Sequence, residues 1–485
     1  MTDLPVAVIG AGPQGLAAAA HLLERGLTPL VLEQGSEPAA AVAEWGHVRL
    51  FSAWPELVDK AAARLLEPTG WAAPTQGYPT GAQWRERYLT PLADTLGDHI
   101  RYRTTVTGVS RKGRDRLVDA DRAEQPFVLH VTSADGSEER LEARAVIDAS
   151  GTWRRPNPAG ADGLPALGER AAHATGALGY AVPDHAYPEA YAGRHTVVIG
   201  AGDSAFNAVN ELTAIAKAHP ETRITWAIRR AVSTNTFGGG EADELPERGA
   251  LGVRAKKAVQ DGSVELVTGF RTERVDGATV IAEDGRVIDA DQVVVLTGYR
   301  PDLGFLSEMR LDLDPTLEAP RNIAVQIDPN LHSCGSVSAT GAKDLAQPEP
   351  DLYLVGMKSY GRAPTFLAMT GYEQVRSVVA ELAGDHDAAA RVELELPDTG
   401  VCGGAGVFDE EDAAGGGCCG PSPATQAEPE LLAIGLGRPV VELGVGPQQS
   451  REGSCCCLLY TSEISGAKGL SILVDRVKNE TTRLA

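Results

Sequence analysis

Two short segments have residue types and spacing suited to holding a dinucleotide. Residues 5–15 read Pro-Val-Ala-Val-Ile-Gly-Ala-Gly-Pro-Gln-Gly, and residues 195–205 read His-Thr-Val-Val-Ile-Gly-Ala-Gly-Asp-Ser-Ala. In each, a β-branched apolar run predicts a buried strand, and the glycines after it predict a tight turn into a helix. The N–H groups and dipole at such a helix start attract a pyrophosphate. Gly10, Gly12 and Gly15 complete the first pattern, while Gly200 and Gly202, with Ser204 in the turn and Ala205 at the third position, complete the second. Two copies in one chain imply two dinucleotides held near each other.

The charge that closes the next strand separates the two sites. After the first turn, Thr28-Pro-Leu-Val-Leu-Glu33 ends in a carboxylate about 20 residues on, where ribose hydroxyls are bonded, which suits FAD or NAD. After the second, Ile224-Thr-Trp-Ala-Ile-Arg-Arg230 ends in Arg229 and Arg230 with no carboxylate. Guanidinium groups there fit a 2′-phosphate, so NADPH is the expected occupant. The competing reading, three solvated strand-end charges, stays open.

The elements that must position these residues can be read along the 485-residue chain. Residues 101–109 and 127–132 alternate as strands around a charged hairpin loop, Arg111 to Gln125. Ala145-Val-Ile-Asp-Ala-Ser-Gly-Thr-Trp153 and Gln292-Val-Val-Val-Leu-Thr-Gly-Tyr299 each read as a buried strand ending in small residues. Asp351-Leu-Tyr-Leu-Val-Gly-Met357 is a further strand, and Gly371 to Ala383 a helix. The expected fold class is α/β, with two nested Rossmann-like dinucleotide-binding domains and a disordered, Cys-containing C-terminal tail. An FAD domain at 1–160 and 300–385 is interrupted by an NADPH domain at 161–299, with a Gly/Pro/Cys-rich tail at 386–454.

Composition narrows the function classes. A formal net charge of −22 opposes nucleic-acid or anionic-membrane partners. No apolar run reaches the length of a membrane span, and the N-terminus enters a strand at once, so the expected location is cytoplasmic. Residues 1–333 contain no cysteine, which excludes a disulfide framework and a Cys-x-x-Cys redox relay there.

With these residues in view, the chain resembles the two-dinucleotide-binding flavoproteins, and within them the flavin-containing monooxygenase-like branch. The resemblance rests on the two glycine turns, on Asp148-Ala-Ser-Gly-Thr-Trp153 with Pro156-Asn-Pro158, and on Leu296-Thr-Gly-Tyr299. More narrowly, Trp45-Gly-His-Val-Arg-Leu-Phe-Ser52 and Val355-Gly-Met-Lys-Ser-Tyr-Gly-Arg-Ala-Pro-Thr-Phe366 look like the flavin-binding monooxygenases of bacterial arsenic-resistance operons. The resemblance implies FAD at Gly10, Gly12, Gly15, Glu33, Val106, Gly151 and Gly356, with Gln374 facing the flavin's pyrimidine edge. It implies NADPH at Gly200, Gly202, Ser204, Arg229, Arg230 and Gly298. Arg362 is the candidate catalytic cation. The implied reaction is NADPH-driven oxygenation of a soft nucleophile, with a small-molecule substrate and dioxygen as partners and a homodimer as one candidate state. A flavin or disulfide-type reductase and a metalloid-sensing flavoprotein are the alternatives. Two departures count: Met357 stands where disulfide reductases carry an Asp, and the Phe-x-Gly-x-x-x-His fingerprint is missing, His185 being out of register.

Other residues carry two readings. His47 and Arg49 suit either a flavin-lining loop or an exposed surface, and Tyr78 to Thr80 with Trp84 to Tyr88 suit helix packing or substrate contact. Gly238 to Glu244 reads as a solvated acidic connection. In the tail, Cys402, Cys418 and Cys419 are candidate thiolate ligands for a soft metal or metalloid, without zinc-type spacing. Cys455-Cys-Cys-Leu-Leu-Tyr-Thr-Ser462 looks like a translated sequencing adaptor, so residues 455–485 are expected to be non-native.

Overall fold

The computed structural model describes residues 3–233, 236–240, 243, 245–331, 339–364 and 366–394. All seven cysteines, including Cys402, Cys418 and Cys419, lie outside these residues, as does the whole adaptor-like segment.

The strands in chain order are β1 (Val6–Ile9), β2 (Pro29–Leu32), β3 (Ile100–Arg101), β4 (Thr104–Arg111), β5 (Phe127–Ser133), β6 (Glu138–Ala143), β7 (Ala145–Asp148) and β8 (Leu178–Gly179). They continue as β9 (His195–Ile199), β10 (Arg223–Ala227), β11 (Glu265–Val267), β12 (Thr272–Asp276), β13 (Thr279–Ala282), β14 (Val287–Ile288), β15 (Gln292–Val295) and β16 (Leu352–Leu354). Two five-stranded sheets carry the architecture. One runs β16-β7-β1-β2-β3 and the other β11-β10-β9-β15-β8, and every pairing in both is parallel. Parallel sheets covered on both faces need strands that are apolar throughout. β1 follows that rule and β9 does so from Val197 on, with His195 and Thr196 at its start; both strands are buried at every residue. Two antiparallel three-stranded sheets, β4-β5-β6 and β12-β13-β14, flank them. The protein is therefore an α/β fold with parallel sheets of Rossmann type.

The register fixes where the first sheet closes. β7 pairs with β1 in register Ile9 to Asp148, and β16, reached only after the second sheet, pairs with β7 in register Leu354 to Asp148. Helix Pro13–Glu24 buries Leu16, Leu22 and an alanine run, Ala17 to Ala20, and packs on helix Ala368–Leu382. The small side chains let the two helices approach closely. In the second sheet, Phe206, Val209 and Leu212 of helix Asp203–Ala218 pack with Ile224 and Trp226 of β10. No described helix is long and apolar enough to cross a membrane.

The charged stretch between β4 and β5 is more than a solvated loop. Arg111 and Arg122 are buried, and both donate to Glu349: Arg111 Nε at 2.8 Å to Oε1, Arg122 Nη2 at 2.8 Å to Oε2. The Arg111 guanidinium also lies 3.7 Å over the Phe127 ring. This triad ties the hairpin to the segment that enters β16. Deleting one partner of a buried ion pair leaves an uncompensated charge, which typically costs about 3–5 kcal/mol. Glu349→Ala should lose about that much stability by urea unfolding, whereas an exposed pair would lose under about 1 kcal/mol; a loss in the lower range would show that the triad does not hold the β16 segment.

Candidate dinucleotide sites

At the first turn the glycines have separate duties. A Cβ on Gly15 would stand 1.9 Å from the Gly10 carbonyl oxygen, so only hydrogen fits where helix meets strand. Gly12, the residue before the helix, has extended backbone, and a Cβ there would meet no protein atom within 4 Å. The space over Gly12 is the one a pyrophosphate would take. Glu33, at the end of β2 and 7% exposed, has its carboxylate turned into the same turn. Its Oε2 accepts from the Ala11 N–H at 2.7 Å and its Oε1 from the Gly35 N–H at 2.6 Å. The Thr104 N–H donates to the Glu33 carbonyl at 2.8 Å, which brings the start of β4, and Val106 two residues on, beside that strand end. A cleft of about 560 Å³ opens there, lined in part by Gln34, Ser36, Arg103, Thr105 and Thr107.

Beneath the turn lies a polar network that sequence reasoning missed. Asp148, at the end of β7, and Lys358, in the turn after β16, form a fully buried ion pair at 2.9 Å. Lys358 Nζ also donates to Ser150 Oγ and to the Asp302 carbonyl, and Asp148 Oδ1 accepts from the Ser150 N–H and hydroxyl. The pair fixes the loop that presents Gly151, where a Cβ again would meet nothing. Gln14 fills the space between Gly356 and Gly371, its Nε2 donating to the Ala368 carbonyl while its buried Oε1 has no partner among the described residues. The lone charged residue in an otherwise small and apolar turn was the available clue to Lys358.

Gln374 departs from expectation. Its side chain is fully buried and its amide is spent internally: Oε1 accepts from the Gly356 N–H at 2.8 Å, and Nε2 donates to Thr340 Oγ1 and Ser359 Oγ. It braces the Gly356 turn instead of facing outward, because the helix carrying it is buried over most of its circumference.

The second turn repeats the first. Gly200 has φ of 140°, and a Cβ on it would stand 2.2 Å from the Leu296 carbonyl oxygen; a Cβ on Gly202 would meet nothing. Ser204 lies in the first turn of helix Asp203–Ala218, and Trp226 Nε1 donates to the Gly200 carbonyl. Arg229 and Arg230 come one residue after the end of β10; Arg229 is exposed and donates to the Ala161 carbonyl at 3.4 Å. Gly298, with φ of 94°, lies against the Asn157 amide. Burial pushes the Asp203 carboxyl up to about 6 against the pull of Arg248, with Asp243 adding to the rise. Asp203 stays mostly ionised at neutral pH and takes up a proton as the pH falls through that value.

The remaining candidates separate. The exposed Arg362 donates its N–H to the Leu317 carbonyl, and its guanidinium lies beside Gly163 and Arg300. Trp84 and Tyr88 are core residues, Trp84 Nε1 donating to the Leu57 carbonyl and Tyr88 accepting from the Asp59 N–H. The acidic connection is only partly described, and its Asp243 is buried in a bidentate pair with Arg248, not solvated.

These roles predict opposite outcomes for two neighbouring glycines. Gly12→Ala should fold with wild-type stability yet lose its bound dinucleotide, because its methyl group enters only ligand space. Gly15→Ala should unfold at lower denaturant, since the helix must move off Gly10. Thermal melts paired with cofactor quantitation distinguish them; a Gly12→Ala protein that keeps full cofactor would place the pyrophosphate elsewhere.

Comparison with known proteins agrees with this geometry. Proteins named ferredoxin–NADP reductase from Nocardioides sp. and from Saccharopolyspora erythraea are each 28% identical over 322 residues, covering 64% and 65% of this chain and 78% and 80% of theirs. Among solved structures, the bacillithiol disulfide reductase of Bacillus cereus superposes with a TM-score of 0.59 at 20% identity, over 79% of this chain and 99% of that one. The flavin-containing monooxygenase of Stenotrophomonas maltophilia does so at 0.51 and 21%, with the same coverage. Those two likenesses concern the fold. The sequence pattern of the pyridine nucleotide-disulphide oxidoreductases matches residues 4–359. The chain belongs to that family of flavin-dependent oxidoreductases, which use FAD and NADP(H).

Proposed function

We propose that this chain is an NADPH-dependent FAD monooxygenase that oxygenates a soft nucleophile such as a sulfide, an amine or a trivalent arsenical. The observation that carries the reading is the lack of a thiol relay: no described residue is a cysteine, and the first turn carries Gln14, packed against both Gly356 and Gly371. FAD bound here would supply a hydride acceptor for NADPH, and with no cysteine among the described residues dioxygen is the acceptor this reading assigns. Gly10, Gly12, Gly15, Glu33, Val106, Gly151 and Gly356 would hold FAD; Gly200, Gly202, Ser204, Arg229, Arg230 and Gly298 would hold NADPH. The open space over Gly12, Gly151 and Gly202 fits both ligands. Arg362 and Arg300 bring positive charge to the crossing between the two units, where an anionic substrate or intermediate would be favoured.

In this reading residues 1–160 and 300–385 form one FAD unit around an NADPH unit at 161–299. In support, β16 returns to the first sheet, and the two crossings run side by side: Pro156 bridges Tyr299, the Asn157 N–H donates to the Gly298 carbonyl, and Trp153 stacks on Tyr299 at 4.9 Å. A second reading, electron delivery to an external acceptor, is favoured by the relatives named ferredoxin–NADP reductase.

Two measurements test the proposal. Replacing Arg229 and Arg230 by alanine should cut the preference for NADPH over NADH about ten- to a hundredfold, the size of one charge-assisted contact of about 1.5–3 kcal/mol; an unchanged ratio places the 2′-phosphate elsewhere. Turnover under ¹⁸O₂ with sulfides, amines and trivalent arsenicals should give labelled product in step with NADPH consumption. Hydrogen peroxide alone for every nucleophile, with fast reduction of a one-electron acceptor, establishes the second reading and removes the first.

A further inference from the structure

Two guanidinium groups converge on one glycine where the chain crosses between the two parallel sheets. Arg300 follows Gly298 by two residues and Arg362 follows Gly356 by six, so each lies on a segment that has just left a turn assigned to a cofactor. Arg300 Nη2 donates to the Gly163 carbonyl at 3.3 Å. A Cβ on Gly163 would meet one atom beyond its chain neighbours within 4 Å, and that atom is Arg362 Nη2.

Arg300 is held from behind. Its Nε donates to Asn157 Oδ1 at 2.8 Å, while Asn157 Nδ2 donates to the Thr297 carbonyl at 3.1 Å and the Asn157 N–H to the Gly298 carbonyl at 2.8 Å. Both acceptors of its side chain are neutral, and among the described residues its Nη1 has none; the Arg362 guanidinium has no acceptor at all among them. The nearby carboxylates do not close the gap. Asp302 pairs with Arg155 at 3.4 Å, Asp162 Oδ1 accepts from the Leu164 N–H at 2.9 Å, and Glu318 acts on Arg300 without an ion pair to it. Burial, and then the charge of Arg362, hold Arg300 below its usual range; Glu318 opposes this and Arg155 adds to it. Like charges gathered on a fixed support, with donors to spare, favour an anion between them, because the planar guanidinium fork takes carboxylate or phosphate oxygens in pairs.

We propose that Arg300 and Arg362 together bind a small oxyanion, the carboxylate of the substrate, so that the molecule oxygenated is a soft nucleophile carrying an acid group. The anion site stands on the two arginines; that its anion belongs to the substrate rests on the oxygenase reading. A coenzyme phosphate offers the same oxygens, and the experiment separates the two sources.

Benzoate is titrated by calorimetry into the FAD-loaded full chain, with and without saturating NADP⁺, beside benzamide as its uncharged counterpart. Benzoate should bind in both states, at least about tenfold tighter than benzamide, and Arg362→Ala should remove that preference while leaving the affinity for NADP⁺ unchanged. Arg362 is exposed, so its variants should keep flavin absorbance and far-UV dichroism, and Arg362→Lys should recover part of the preference. Benzoate binding that vanishes once NADP⁺ is present, with NADP⁺ itself weakened by Arg362→Ala, assigns the site to a coenzyme phosphate and overturns the substrate assignment. No preference for benzoate, or a preference indifferent to Arg362, overturns the site. Failure to oxygenate any sulfide while Arg362-dependent benzoate binding persists removes the oxygenase reading and leaves the anion site in place.

Discussion

A Cβ on Gly15 would stand 1.9 Å from the Gly10 carbonyl oxygen, so the first helix can start where it does only with hydrogen there; the second turn carries Ala205 at that position, and its tight contact is instead at Gly200, where a Cβ would stand 2.2 Å from the Leu296 carbonyl oxygen. The rest of both sites follows from these contacts. With the helix starts seated on the strand ends, Gly12 and Gly202 face open space and the first-turn N–H groups point at it. The sheets repeat the device: read across, β16-β7-β1-β2-β3 and β8-β15-β9-β10-β11 place the glycine turn after the same central strand. Ligand space lies at the carboxyl ends of both sheets, as open α/β sheets require.

The first sheet has a difficulty that the second lacks. Its edge strand β16 is three residues long and arrives from more than 200 residues beyond β7. So short a strand gains little from its own pairing, and buried charge clusters fix it on both sides. Glu349 precedes it and joins Arg111 and Arg122; Lys358 follows it and joins Asp148. Buried ion pairs are poor sources of net stability but are costly to misplace, so they set register. Here the register decides where Gly356 stands relative to Gln14 and Gly151, and hence the shape of the space available to a flavin.

Both glycine turns, the acidic and basic strand ends and the four segments that became β1, β7, β9 and β15 were legible in the sequence, because each obeys a short-range rule of period or spacing. The partners of Glu33 were not, since Ala11 and Gly35 meet it only once the turn has closed. Asp148 and Lys358 are 210 positions apart, and no local pattern pairs them. The resemblance puts Gln374 at the flavin's pyrimidine edge, but its helix is buried nearly all round, so its amide turns to Gly356. Arg111 and Arg122 fall in the stretch read as a charged hairpin loop between two alternating segments, and nothing local shows that Glu349, more than 200 positions on, buries them.

The central claim is that each glycine turn holds one dinucleotide, FAD at the first and NADP at the second. The most direct measurement is a crystal structure of the FAD-loaded protein soaked with NADP⁺. The account predicts the FAD pyrophosphate over Gly12 with its ribose on Glu33, and the NADP⁺ pyrophosphate over Gly202 with its 2′-phosphate against Arg229 or Arg230. A flavin pyrophosphate bound away from Gly12, or NADP⁺ density away from Gly202, would contradict it.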